Sequence, residues 1–243
     1  MVKHEYTGYL DDMSPEQEEV LNRLRTHLRE ELGNTDPRYD DRFLLRFCRA
    51  RKFDYPKVQL MFDNNLKWRQ ENKVDTIAEE DFPLMKDCFQ FAPHNYMCID
   101  RIGRPVYVER YRNFDLKEMM KVTEVYKIVE REYMLRYFIY SYERLMNLIL
   151  PALNKKGYEK HIEQSVTILD LDGLAFFNVL AKRDEIQTFL KMVSSITQDN
   201  YPETMGRLFI VNAPMLFSAL WSVVKGFLDE KTVKKISVHG NLN

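Results

Sequence analysis

Three short apolar runs in the second half of this chain limit its possible folds more than any other feature. SVTILDL begins at residue 165, RLFIVNA at residue 207 and KKISVH at residue 234, and the stretches between them are long enough for helices. Strands that alternate with helices pair in parallel through right-handed crossovers. Just upstream, NYMCIDRIGRPVYVER reads as two more strands around an Asp100-Arg101-Ile102-Gly103-Arg104-Pro105 turn. Helices are expected over about 116–150, 174–199 and 214–228. This part is an α/β fold with a mostly parallel sheet.

The first 80–90 residues follow a different period. Ser14-Pro15-Glu16-Gln17 is a helix start, with a capping serine, a proline suited to the first turn and a glutamine that completes a capping box. Leu21, Leu24, Leu28 and Leu32 then fall on one stripe, and Gly33 is a natural stop. Asp40 or Asp41 opens a second helix, DRFLLRFCRA. Asp54 caps a third, from about Pro56 to Asn72, on which Val58, Met61, Phe62 and Leu66 face together. The expected organisation is a helical segment over 1–85 and an α/β domain over 86–243.

Composition excludes several classes. A net charge of −1 gives no basic surface for nucleic acid. Cys48, Cys88 and Cys98 form no CxxC pair and read as reduced cytosolic thiols, and MVKHEYTGYL carries no secretory signal. The longest apolar candidate, Ala213 to Val224, is far short of the roughly 20 residues that span a bilayer. His4, His94, His161 and His239 have no metal-ligand spacing. No glycine-rich phosphate loop follows a strand, and no Gly-x-Ser-x-Gly elbow is present. Together these absences favour a binding module, with no metal and no cofactor.

Several motifs admit two readings. In ILDLDG, Asp170 and Asp172 suggest an Mg-dependent phosphohydrolase, but Leu174 and Ala175 follow where such enzymes carry other residues, and only about 70 residues remain. The plainer role is to cap the next helix or bond the turn. Ser165, Thr167, Leu169 and Leu171 share one strand face, polar at its start and apolar beyond. That face is either an ordinary strand surface or the wall of a cavity with a polar head position. Met215, Leu216, Phe217, Leu220, Trp221, Val223, Val224 and Phe227 cover nearly every side of the helix at 214–228. Such a helix is either fully buried or lies between a core and lipid. Arg51 and Lys52 suit a helix C-terminus and also a phosphate. Glu203 and Lys235 are unremarkable alone, and most of the 14 tyrosines should be core or interface fillers.

The order of these elements resembles the CRAL-TRIO family. FLLRFCRARKFDYPKVQLMFDNNLKWR is similar to its N-terminal helical segment. DRIGRPVYVE, VTILDLDGL, NYPETMGRLFIVNAP and MLFSALWSVVKGFLDEKTVKKI resemble its lipid-binding domain, in the same order, from about Leu10 to Gly240. Within the family the chain looks most like the Sec-fourteen-like phosphatidylinositol/phosphatidylcholine transfer proteins. The resemblance implies a cavity closed by a gate helix, here bearing Met215, Phe217, Leu220, Trp221, Val224 and Phe227. It implies that Arg51, Lys52, Glu203 and Lys235 hold a phosphoinositol head, and that Tyr96, Tyr107, Tyr142, Ser165 and Thr167 hold phosphatidylcholine. Members that bind tocopherol or retinoids generally lack this full set. The family pattern continues past the last strand into a further helix, whereas this sequence stops at HGNLN.

The implied function is exchange of phosphatidylinositol and phosphatidylcholine between membranes, with phospholipid as the bound ligand and no catalysis. A carrier of another hydrophobic ligand, such as a sterol or tocopherol, is the alternative on the same fold; a scaffold that presents lipid to a kinase or GTPase regulator is another. The resemblance further implies a cytoplasmic monomer associated peripherally with Golgi or endosomal membranes. Its expected partners are phospholipids, membrane surfaces and lipid kinases, with no nucleic acid.

Overall fold

A computed structural model describes residues 5–83, 89, 92–111, 130–174, 183–226 and 228–240. The chain divides into two compact units, Met1–Asn72 and Lys73–Asn243. The boundary drawn from the sequence, between residues 85 and 86, lies outside the described residues.

The first unit is built from helices α1 (Pro15–Thr26), α2 (Asp41–Ala50) and α3 (Tyr55–Glu71). Each begins at a side chain that accepts from an otherwise unpaired backbone N–H. Ser14 Oγ accepts from Gln17 N at 3.3 Å, and Gln17 Oε1 accepts in return from Ser14 N at 3.1 Å, which completes the capping box. Asp40 does the same for Phe43 N at 2.8 Å and Asp54 for Lys57 N at 3.5 Å. Leu21, Leu24, Leu28, Leu44, Leu45, Phe47, Val58 and Phe62 form the core. Edge-to-face rings join it, Phe47 to Phe62 at 5.3 Å and Tyr39 to Phe62 at 5.9 Å. One expectation fails. Leu32 is 46% exposed, because a π-helical turn, His27–Glu31, follows α1 and its wider winding turns Leu32 off the leucine stripe. Gly33 has a left-handed φ of 63° and ends the helix as its sequence position suggests.

The second unit contains a five-stranded sheet in the order β1-β2-β3-β4-β5, with strands His94–Ile99, Pro105–Arg110, Ser165–Asp170, Met205–Val211 and Ile236–Val238. Only β1 is antiparallel; β2 to β5 run parallel, each beside its predecessor. The β1–β2 turn is tied by Asp100 Oδ1, which accepts from Ile102 N at 3.0 Å and Arg104 N at 2.9 Å. Gly103, at φ 94°, packs so closely on Tyr158 that a Cβ would lie 2.9 Å from the ring. Glycine fits both demands.

The connections carry helices α4 (Glu130–Arg144), α5 (Leu150–Asn154), α6 (Arg183–Asn200), α7 (Phe217–Lys225) and α8 (Glu230–Lys234). A second π-helical turn, Leu145–Ile149, joins α4 to α5. The long helix expected over 116–150 is thus interrupted within its described part and runs on to Asn154; its first residues, and those of the helix expected from 174, lie outside the described residues. Cys48 and Cys98 are unpaired thiols, and Cys88 is not among the described residues.

Candidate lipid site

Strand register places residues from all five strands on one face of the sheet. Tyr96 stands opposite Tyr107, Tyr107 beside Thr167, Thr167 beside Leu208, and Leu208 beside Ile236. Side-chain alternation adds Ser165 and Leu169 from β3, Glu109 from β2 and Ile210 from β4. The face is therefore hydroxyl- and aromatic-rich around Tyr96, Tyr107, Ser165 and Thr167. It is aliphatic toward Leu169, Leu208 and Ile210, with the carboxylate of Glu109 on the neighbouring strand beside Leu169.

Helices cover both ends. Tyr96 packs against Leu145, Leu150 and Ile162, between the π turn and β3. At the aliphatic end Phe217 and Leu220 of α7 bury themselves on Leu171 and Ile210, joined by Leu169, Leu208, Trp221, Val224 and Ile236. On the opposite side of α7 Val223 is exposed, as are Met215, at 94%, and Leu216 just before the helix. The all-round apolarity of this segment thus belongs to a helix with one buried and one outward face. Ser218 and Ser222 bond back to the carbonyls of Met215 and Ser218 at 2.9 Å, so they satisfy their hydroxyls locally. Phe227, the remaining expected gate residue, lies outside the described residues.

The five expected choline-lipid residues fall in this second unit. Tyr96 and Tyr107 meet edge to face at 5.4 Å. Tyr142, on α4, packs between Phe138 at 5.0 Å and Tyr201 at 4.8 Å. Burial raises the phenol pKa of Tyr96 and Tyr107, and raises that of Tyr142 to about 12. All three therefore stay neutral and able to donate. Ser165 is buried, and its N–H donates to Thr204 O at 2.9 Å.

The structure brings two of the four expected inositol-lipid residues together. Lys235 Nζ lies 3.9 Å from Glu203 Oε2, with both side chains largely shielded. Glu203 has a left-handed φ of 59°. Lys235 directly precedes β5, and its carbonyl accepts from Leu208 N at 3.0 Å, which fixes it to the sheet. Arg51 and Lys52 belong to the first unit. Arg51 caps α2, its N–H bonded to Phe47 O at 3.1 Å; Lys52 and Phe53 are both left-handed, at φ 51° and 59°. Two successive non-glycine residues in that region are uncommon. Phe53 is seated against Gly8, where a Cβ would lie 2.7 Å from its ring.

The aspartates do something else. Asp170 Oδ1 accepts from Asp172 N at 3.1 Å and from Asn212 Nδ2 at 2.8 Å, an Asx-type bond that ties β3 to the end of β4. Among the described residues, no group of three or more His, Cys, Asp or Glu side chains is arranged to hold a metal ion.

Other polar residues lie on or beside the face without having been singled out in the sequence. Glu109 accepts from Tyr111 OH at 2.6 Å and lies 3.5 Å from Tyr107 OH. His94 Nε2 meets Tyr137 OH at 2.8 Å, while its Nδ1 faces Ala92 O at 2.8 Å, so Nδ1 donates and Nε2 accepts in the neutral ring. Alternation within PVYVER puts Glu109 on the side of Tyr107 and was the one signal available for it. Nothing local marks His94.

A mostly parallel sheet with one face hydroxyl- and aromatic-rich at one end and aliphatic at the other, joined to a helical segment, defines the fold class, and comparison with known proteins gives the family. The model for the CRAL/TRIO domain matches residues 93–243, and the model for the CRAL/TRIO N-terminal domain matches residues 7–64. The chain belongs to the CRAL/TRIO family. It is 42% identical over 236 residues to the SEC14 cytosolic factor of Yarrowia lipolytica, covering 97% of this chain and 45% of that protein. It is 38% identical over 235 residues to the phosphatidylinositol/phosphatidylcholine transfer protein SFH9 of Arabidopsis thaliana, covering 96% of this chain and 39% of the relative. The Sec14 cytosolic factor of Schizosaccharomyces pombe is 38% identical over 235 residues, and the match covers 78% of its length. The chain thus spans less than half of the first two relatives and more than two thirds of the third. The crystal structure of Sfh5 shares the fold, with a TM-score of 0.71 and 20% identity over 93% of this chain and 81% of that one. No helix among the described residues is long and apolar enough to cross a membrane.

Proposed function

We propose that this chain carries one phospholipid at a time and exchanges phosphatidylinositol and phosphatidylcholine between membranes. The observation that supports this most is the single sheet face that runs from Tyr96, Tyr107 and Thr167 to Leu169, Leu208 and Ile210 under α7. Ser165 and Thr167 hydroxyls suit phosphate oxygens, and tyrosine ring faces suit a choline cation. Arg51, Lys52, Glu203 and Lys235 suit the phosphoinositol head. Acyl chains occupy the aliphatic end, where each CH₂ taken from water contributes about 0.8 kcal/mol. The transfer proteins among its relatives support the same lipid pair by name.

The outward face of α7 touches the membrane and the helix swings away to admit lipid. The protein acts as a cytoplasmic monomer, peripheral to Golgi or endosomal membranes, and hands its lipid to membranes and lipid kinases without catalysis or cofactor. Mass spectrometry of lipids extracted from the purified protein, with vesicle-to-vesicle transfer assays, tests the reading. Co-purified phosphatidylinositol and phosphatidylcholine with transfer of both are expected. A sterol or tocopherol as the sole extracted ligand, or Mg-dependent phosphomonoester hydrolysis abolished by Asp170→Asn, would refute it.

A further inference from the structure

The turn Tyr201–Thr204 reaches both sets of head-group residues. The ring of Tyr201 packs on Tyr142 at 4.8 Å, and its hydroxyl donates to Glu143 Oε1 at 2.7 Å. Two residues on, Glu203 takes its left-handed φ and faces Lys235 at 3.9 Å. Thr204 closes the turn: its hydroxyl donates to Tyr201 O at 2.8 Å, and its carbonyl accepts from Ser165 N at 2.9 Å. Within four consecutive residues, Tyr201 and Thr204 therefore contact Tyr142 and Ser165, and Glu203 faces Lys235.

Glu143 anchors this turn. The residue is only 6% exposed, a costly placement for a carboxylate unless each oxygen is hydrogen-bonded. Tyr201 OH serves one oxygen, and Asn147 Nδ2 serves the other at 2.9 Å. Asn147 lies in the π turn, where Leu150 N–H reaches back to Leu145 O. Single π turns within helices recur at functional sites. A leucine at 143 would fill the space with no charge to satisfy. A buried acid adds what packing alone lacks, a fixed direction for the Tyr201 hydroxyl and hence for the residues that follow it.

We infer that Glu143 and Tyr201 are a positioning pair that sets the geometry of both head-group sets through the Tyr201–Thr204 turn. The inference rests on the phosphatidylinositol/phosphatidylcholine reading above. Neither residue need touch lipid. The two lipids contact different side chains yet share one control point, so disturbing the pair slows transfer of both.

The test uses the full chain, with phosphatidylinositol and phosphatidylcholine transfer between vesicles measured separately and thermal melts on each variant. Tyr201→Phe keeps the ring and removes the hydroxyl that donates to Glu143 Oε1. It should lower the melting temperature and slow transfer of both lipids about tenfold, the scale of one hydrogen bond to a charged group. Adding Glu143→Leu removes the buried charge as well, and both transfers should stay slow in the double variant. Glu143→Gln keeps an acceptor for Tyr201 and should transfer both lipids at close to the wild-type rate. A double variant that transfers either lipid at the wild-type rate would overturn the inference, as would a Gln variant as slow as Tyr201→Phe. Wild-type protein that transfers neither lipid would instead overturn the reading on which the inference rests.

Discussion

Lys235→Ala separates the two head-group sets most cleanly. Lys235 Nζ and Glu203 Oε2 are 3.9 Å apart, a gross attraction of about 4 kcal/mol at an effective dielectric near 20. Desolvation of two largely shielded side chains offsets most of it, and the separation is too long for a strong hydrogen bond. The net loss of stability should be about 1 kcal/mol, a fall of roughly 2–4 °C in Tm for a chain of this size. The cost to lipid binding is larger. A charge-assisted contact to an inositol phosphate contributes roughly 1.5–3 kcal/mol, so phosphatidylinositol transfer should fall on the order of ten- to hundredfold. Phosphatidylcholine transfer should hold, since Ser165, Thr167 and the tyrosines are untouched. The assay is transfer of each labelled lipid from donor to acceptor vesicles, beside a melt of the same preparation. Equal loss of both activities with no larger fall in Tm than this would refute the separation.

The converse variant, Ser165→Ala with Thr167→Val, should weaken phosphatidylcholine transfer about tenfold and spare phosphatidylinositol, and competition between the two lipids should persist because their acyl chains need the same volume. Trp221 is one of two tryptophans, so Trp68→Phe leaves it as the sole indole; its emission should shift blue on mixing with phospholipid vesicles, and an unchanged spectrum while transfer proceeds would count against α7 as the gate. His27 is buried between two carboxylates, Nδ1 to Glu31 and Nε2 to Asp63, both at 2.7 Å. Burial alone would lower its pKa, but the two hydrogen bonds and charges together raise it above the ordinary 6.5. A raised folded pKa means that this stabilisation is complete below pH 6.5 and is lost as pH climbs through the folded value. Wild-type Tm minus that of His27→Gln should therefore shrink between about pH 6 and 8; a difference that grows over that window would exclude the arrangement.

The helix starts were legible because capping is local. Ser14, Asp40 and Asp54 each bond a backbone N–H three residues on, and a reader of the sequence sees the whole motif. The parallel sheet was legible because apolar strands alternate with helix-length gaps. The π turns were not. They consist of ordinary helical residues, HLREE and LMNLI, and nothing in their composition announces the extra residue per turn. That is why a 3.6-residue period puts Leu32 on the stripe of Leu21, Leu24 and Leu28, which the chain leaves after Leu28. The outward face of α7 was half legible: the run of apolar residues was plain, but which side is buried depends on Leu169, Leu171 and Ile210, which only the sheet's packing supplies.

Within the site, alternation placed Thr167 and Leu169 together, yet it could not say which residues of other strands join them. That requires register, and a shift of one residue would carry Glu109 and Tyr107 to the opposite face. The polar network is less visible still. His94 meets Tyr137 across 43 residues and Tyr201 meets Glu143 across 58, so neither pair leaves any spacing to read. A surface glutamate and a buried one look alike in sequence, because burial is decided by what folds over them. Resemblance to a family points to side chains that touch lipid. It is silent about residues such as Glu143 and Tyr201, whose contribution is the placement of others, and those emerge only once the turn and the helix are seen against each other.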